Sequence, residues 1–170
     1  MRANLLACTN QIKIPMKKFI HPSTMFRWMF SIYPPFFFTG IKLHSIDKDF
    51  RQLTVKMRLR WYNRNYVGTH FGGSLFSMTD PWYMLMLMNV LGKDYIVWDK
   101  SGFIEFLKPG TGTVTCQYII TDEMLDEIKE KTKNGEKFLP EFPVEVIDEK
   151  GDVVVRVNKG LYIRRKQKRN

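Results

Sequence analysis

Two features close together in the chain have the residue types to stabilise developing negative charge and to act as acid or base: the glycine doublet Gly72-Gly73 and, seven residues beyond it, the acid Asp80. Both lie in the stretch from Asn65 to Leu91, a polar, glycine-bearing loop that runs into an apolar segment. From Ser74 onward nearly every residue is apolar all round, the pattern of a helix buried on most faces. Glycines at the start of such a helix let a ligand approach the free amides of its first turn, and those amides with the helix dipole favour developing negative charge. Asp80 is the one charge in the segment and shares a helical face with Gly73, Phe76, Ser77, Met84 and Leu87 at spacings of three, four or seven. A carboxylate among apolar neighbours is costly unless it is paired or does chemistry. The expectation is therefore an oxyanion site followed by a buried carboxylate. A plainer reading of the same residues is a tight Gly-Gly turn, with Asp80 capping a helix that starts at Pro81.

The other chemistry-bearing residues point nowhere so definite. His21, His44 and His70 have no metal-ligand spacing, and no metal site is expected. Of the three, His70 stands in the glycine loop beside Phe71, either as a hydrogen-bonding member of the site or as a half-exposed loop residue. Gly68-x-x-x-x-Gly73-Ser74 lacks the lysine of a phosphate-binding loop, and there is no Gly-x-Ser-x-Gly elbow for Ser-His-Asp hydrolysis.

The run Asn65-x-x-Gly68-Thr69-x-Phe71-Gly72-Gly73 followed by Asp80 resembles the signature of hotdog-fold acyl-CoA thioesterases of the phenylacetate-pathway type. In those enzymes an Asn-x-x-Gly-x-x-His-Gly-Gly loop precedes the central helix, and an acid lies seven residues past the second glycine. Asn65, Gly68, Gly72, Gly73 and Asp80 match that pattern, whereas Phe71 stands where the family has histidine. In this the chain is similar to a branch of the same superfamily grouped as the domain of unknown function DUF4442, in which Phe-Gly-Gly and Asp-Pro are usual. The likeness runs from about Pro34 to Arg165.

The resemblance implies an α+β hotdog fold, an antiparallel sheet wrapped around a long central helix. It implies hydrolysis of the thioester of an acyl-CoA or acyl-carrier substrate without a cofactor, in a pocket formed across a homodimer, or within a dimer of dimers. Gly72 and Gly73 would hold the thioester carbonyl, Asp80 would be general base or nucleophile, and Asn65 would position the water or the loop. Phe71, Phe76, Trp82 and Met84 would line the acyl tunnel with His70 nearby. Lys108, at the end of a Phe-Leu-Lys-Pro strand, would contact a coenzyme A phosphate, with Arg58 and Arg60 as weaker candidates. Phe71 in place of histidine keeps open a second reading, a non-catalytic hotdog protein that binds acyl-CoA as a sensor or scaffold.

Composition bounds these readings. The 170 residues are 44% hydrophobic and 14% aromatic, which suits one globular domain with an N-terminal helical extension over 1–33 and a basic tail over 164–170. Twenty-seven basic against seventeen acidic residues give a formal charge of +10. That excess suits coenzyme A phosphates, nucleic acid or a membrane surface, and no aromatic-basic module favours nucleic acid. Cys8 and Cys116 make neither a disulfide framework nor a zinc site, and a reducing cytoplasm is expected. The apolar run ahead of Cys8 is too short for a signal sequence, and nothing approaches the roughly 18 apolar residues of a membrane span.

The elements that must position the site follow from periodicity. Pro22 to Ser31 is expected as a helix with Met25, Phe26, Met29 and Phe30 on one face; it packs on its own domain, closes an acyl pocket, or skims a membrane with Lys17, Lys18 and Phe36 to Phe38. Ile41 to Asp47 and Gln52 to Arg60 are expected strands, the second alternating Leu53, Val55, Met57 and Leu59 with polar residues. Tyr95 to Leu107 and Thr113 to Thr121 are longer strands joined by Lys108 to Gly112. Asp122 to Lys133 is an amphipathic helix with Met124, Leu125 and Ile128 inward, and Pro143 to Asp148 and Asp152 to Ile163 form a hairpin. Pro81 is the misfit: inside a helix it costs about 3 kcal/mol, so a kink is expected, or reuse of the freed Ser77 carbonyl.

Overall fold

The computed structural model describes residues 21–167; Cys8, Lys17, Lys18 and the last three residues of the basic tail lie outside the described residues. Two short helices come first, α1 (Pro22–Ile32) and α2 (Pro34–Phe37). The ring of His21 caps α1 by accepting from the Ser23 amide, and each helix carries proline at its first turn, where the missing N–H has no intrahelical partner to lose. Phe30 and Phe36 point inward, each with its ring centroid 5.2 Å from that of Trp82. The expected inward face of α1 is corrected: Phe26 and Phe30 pack inward, but Met25 and Met29 are exposed, because the helix is apolar around more of its girth than one contact can cover.

Strands β1 (Ile41–Ile46) and β2 (Gln52–Arg58) follow, then α3 (Gly72–Ser77) and α4 (Trp82–Leu91), then β3 (Tyr95–Phe106) and β4 (Thr113–Ile119). Helix α5 (Asp122–Thr132), the two-residue β5 (Lys137–Phe138), β6 (Glu141–Ile147) and β7 (Val153–Arg165) complete the described chain. The strands form one antiparallel sheet in the order β1-β2-β4-β6-β7-β3, with β5 beside β7. Strands β3 and β4 are sequence neighbours but not hydrogen-bonded partners; β3 pairs with β7 and lies at the sheet edge opposite β1. Alternation does the wrapping: Val55 and Met57, Val114 and Cys116, Val144 and Val146, and Val155, Val157, Leu161 and Ile163 all turn to one face and bury against Met78, Trp82, Met86 and Leu87. Cys116 is among them, its thiol pushed up to about 12 by burial, so it is an inert core residue.

The α+β order matches expectation, but the central helix is two helices. Residues Met78 to Pro81 are non-helical, with Pro81 as the residue before α4 and its carbonyl accepting from the Leu85 amide. The Ser77 carbonyl is satisfied locally by the Asp80 amide at 3.2 Å and is not offered to a ligand. Proline thus sits at a helix start, where it is tolerated, instead of kinking a helix interior. The C-terminal end is also corrected: Arg164 and Arg165 belong to β7, with the Arg164 guanidinium donating to the Gly135 carbonyl, so the expected basic tail over 164–170 begins inside the sheet.

Candidate active site

The break between α3 and α4 decides where Asp80 goes. Released from helical geometry, its carboxylate is 54% exposed instead of buried, which corrects the expected buried acid on a helical face. It lies at an apolar cleft of about 530 Å³ between the N-terminal helices and the α3–α4 joint. Met29 and Phe30 of α1, with Tyr33 just after it, form one wall, and Phe76, Met84 and Leu85 the other. The volume falls in the range of small-molecule sites, and an apolar lining with one carboxylate at its mouth is how such sites are built. Phe76 and Met84, expected to line an acyl tunnel, border this cleft. Trp82 does not: it is fully buried, with its indole N–H donating to the Met78 carbonyl.

A buried lysine holds the carboxylate. Lys159 donates from Nζ to Asp80 Oδ1 at 2.8 Å and lies 3.2 Å from Asp99 Oδ1, with only 3% of its side chain exposed. Burial pushes the Asp99 carboxyl above its ordinary value, Lys159 pulls it back, and the Asp80 charge adds to the rise. A bulge between Asp99 and Ser101 in β3 turns Asp99 toward the lysine. Opposite it, the absence of a side chain at Gly160 leaves room for Ser101, whose hydroxyl would clash with any Cβ there. One cation is thus shared by two carboxyl groups at the mouth of an apolar cleft.

Sequence reasoning missed Lys159, yet it leaves a sequence signal. Within Val155, Val157, Lys159, Leu161 and Ile163, every second residue faces the core, and the lysine is the only charge in that series. An inward-facing charge in a strand requires a partner, and here the partners are Asp80 and Asp99.

The glycine doublet lies elsewhere in the same chain. Gly72 and Gly73 open α3, with Phe71 as an extended residue before it and no side-chain cap. Among the described residues, no hydrogen bond from the amides of Gly72 or Gly73 is present, as expected at a first helical turn. Gly72 borders a second cleft, of about 380 Å³, with Asn65, His70, Phe106 and Lys108. A Cβ at Gly72 would stand 3.0 Å from the Phe106 ring, which places the doublet beside the end of β3. Phe71 is 56% exposed and its ring lies over Gly73, where a Cβ would come within 2.5 Å of it. Within one chain, then, the doublet and the acid border different clefts.

The loop before the doublet is tightly bonded. Asn65 Oδ1 accepts from the Thr69 amide at 3.0 Å, and its Nδ2 donates to Thr69 Oγ1 and to the His70 carbonyl. Its amide group is thereby occupied in shaping the loop, which supports the loop half of its expected role. His70 is buried at 2% exposure, a correction to the half-exposed alternative. Its Nε2 lies 3.1 Å from the Gly112 carbonyl, so Nε2 carries the proton and Nδ1 is left buried without a partner; burial lowers the ring's affinity for a second proton. Asn63, unremarked in the sequence, is the deeper brace: it accepts from the Arg60 amide and donates to the Thr39 and Arg58 carbonyls.

Lys108 is less free than a phosphate ligand requires. It pairs with Asp148 at 2.8 Å and also with Asp152, and these carboxylates raise its pKa while the lysine lowers that of Asp148. Arg58 and Arg60 are exposed.

The family model described as a domain of unknown function, DUF4442, matches residues 23–163. No curated protein matches the chain. A Pseudomonas aeruginosa protein of unknown function, described as a probable thioesterase, superposes with a TM-score of 0.74 at 16% identity, covering 85% of this chain and 97% of that one. A Haemophilus influenzae thioesterase superposes with a TM-score of 0.63 at 14% identity, covering 86% and 92%. A variant of a Staphylococcus aureus thioesterase does so with a TM-score of 0.58 at 12% identity, covering 78% and 99%. At these identities the likeness is one of fold, the hotdog fold.

Proposed function

The chain belongs to the DUF4442 family, and from that premise we propose that it is a thioesterase hydrolysing the thioester of an acyl-CoA in the cytoplasm, with its site completed by a second copy. The observation that carries this reading is Asp80: an accessible carboxylate, held by a buried ammonium 2.8 Å away, at the mouth of an apolar cleft with room for an acyl chain.

The exposed edge of β3 supports a second copy. This strand offers its outer edge to solvent along twelve residues, with Trp98, Phe103 and Phe106 exposed, which is a template for strand pairing. Antiparallel pairing of two such edges about a two-fold near Gly102 and Phe103 sets Phe106 of one copy opposite Asp99 of the other. Gly72 adjoins Phe106 and Asp80 adjoins Asp99 through Lys159, so the same operation brings the doublet of one copy toward the acid of the other.

In the resulting mechanism the thioester carbonyl oxygen rests on the Gly72 and Gly73 amides. Asp80 takes a proton from water, the hydroxide attacks the carbonyl carbon, and the amides stabilise the oxyanion, an effect worth about 10²–10³ in rate. Collapse breaks the carbon–sulfur bond, and the proton passes from Asp80 to the departing thiolate. Lys159 keeps the carboxylate oriented. The excess of positive charge favours an anionic thiol carrier such as coenzyme A.

Phe71 favours a second reading, a hotdog protein that binds acyl-CoA without turning it over. Thiol release from a panel of acyl-CoAs, measured for wild type and Asp80→Asn, separates the two. Hydrolysis falling by about 10²-fold or more in the variant is expected. Saturable binding without turnover in the wild type would leave the binder, and full activity in the variant would remove Asp80 from the chemistry.

A further inference from the structure

Away from both clefts of the proposed site, a third and larger groove of about 760 Å³ opens between α1, α2 and the outer edge strand β1. Its aromatic lining is solvent-facing: Phe37, Phe38 and Trp61 are 60%, 73% and 80% exposed, and Tyr62 stands beside Trp61. Its charged lining is entirely basic, from Arg27 and Lys42 with His44 adjoining, and no acid lines it. Met25, Trp28 and Ile32 continue the apolar surface along the outer side of α1 at spacings of three and four residues. Exposed apolar area of this extent marks an interaction surface in a water-soluble fold.

We propose that this groove and the outer face of α1 dock the protein on an anionic phospholipid bilayer. Tryptophan and tyrosine on an apolar ridge seat at the depth of lipid headgroups, and a rim of Arg and Lys answers the negative surface there. The formal charge of +10 supplies the longer-range attraction. No described helix is long and apolar enough to cross a membrane, so the contact is one of surface attachment. A second copy is not needed to cover the groove, since β1 and β3 lie at opposite edges of the sheet and pairing through β3 leaves the β1 edge outermost. Docking does not rest on the thioesterase reading, but it would serve it: α1 turns Phe30 to the acyl cleft while Trp28 and Ile32 face outward, so a bilayer would lie against the helix that walls that cleft.

The test is flotation of the full chain with vesicles of phosphatidylcholine alone or mixed with phosphatidylglycerol. Binding only to the mixed vesicles, weakened by salt, is expected. Arg27→Glu with Lys42→Glu should lower partitioning by roughly tenfold or more. Lys131→Glu with Lys150→Glu changes the net charge equally at exposed sites outside the groove and should leave partitioning within about twofold. Trp28→Ser with Trp61→Ser should abolish retention while leaving the melting temperature unchanged, as both rings are exposed. The proposal is overturned if mixed vesicles do not retain the protein, or if both reversal pairs weaken retention alike. It is equally overturned if the tryptophan variant floats like wild type, or if that variant converts a dimer into a monomer, which would make the groove an interface between copies.

Discussion

Replacing Lys159 by methionine tests the buried cluster at its centre. The substitution keeps an unbranched four-atom stem and removes the ammonium that lies 2.8 Å from Asp80 and 3.2 Å from Asp99. At 3.2 Å and an effective dielectric of about 20, a pair of charges attracts by about 5 kcal/mol, most of it offset by removing the ammonium from water. Asp80 is half exposed and loses little. Asp99, 21% exposed, is left as a nearly buried carboxylate without a counter-charge. It can escape by taking a proton, which limits the loss: neutralising a carboxyl of ordinary pKa 3.8 costs about 1.4 kcal/mol per pH unit above that value, hence at most about 4 kcal/mol near pH 7 and under about 2 near pH 5. We expect a loss of about 2–3 kcal/mol near pH 7 that shrinks steadily toward pH 5. The sign follows from the raised carboxyl: the folded variant holds a proton that the unfolded chain has released, so its stability falls as pH rises. Urea titrations at several pH values measure this directly. Adding Asp99→Asn to the lysine variant should flatten its pH dependence and recover part of the stability. A loss that stays constant across that pH range, or one below about 0.5 kcal/mol, would refute the account of a lysine held in place by two carboxylates.

Three further outcomes follow from other parts of the molecule. The fold holds His70 neutral, its pKa lowered by burial, so its contribution to stability is complete above 6.5 and is lost as pH falls from 6.5 through the lowered folded value; His70→Gln, which keeps a donor for the Gly112 carbonyl, should remove that acid-side slope in urea titrations. Leu85→Trp narrows the apolar cleft and should shift thioester turnover toward shorter acyl chains, with kcat/KM for long chains falling by about 10- to 200-fold while short ones are spared. Phe103→Lys places a charge in the middle of the exposed edge of β3 and should split the proposed dimer in sedimentation velocity, with the proposed hydrolysis lost at the same protein concentrations.

Strand periodicity carried most of the architecture, because strands with one wet face alternate visibly: Leu53, Val55 and Met57 of β2 and the inward series of β7 stand where alternation places them. The N-terminal helix was legible as an element but not in its orientation, since Met25 and Met29 are as apolar as Phe26 and Phe30 and only contacts with Trp82 choose between the faces. At the site, the loop-shaping role of Asn65 and the cleft positions of Phe76 and Met84 were legible, whereas the pairing of Lys159 with Asp80 was hidden by distance along the chain. Seventy-nine residues separate it from Asp80, and no local pattern reports a contact of that span.

The misreading of Asp80 carries the most physics. Apolar residues on both sides of position 80 imply a continuous helix and therefore a buried acid, and a buried acid would be a poor base, sealed from water. Pro81 breaks that inference, since it cannot donate to the Ser77 carbonyl and disfavours helical geometry at the residue before it. The chain answers by ending α3 at Ser77 and restarting at Trp82, with Thr79 tied back to the Phe76 carbonyl and the Asp80 amide to Ser77. The result is a carboxylate carried on the rigid centre of the fold yet turned out to a cleft, where only one long lysine from the last strand can reach it. Asp-Pro at this point is thus the local cause of an accessible acid. Pro81→Ala, which lets the helix run on through residue 80, should draw Asp80 away from Lys159 and the cleft mouth, lowering thioester turnover without lowering thermal stability. A variant with unaltered turnover would show that the break is not what exposes the acid.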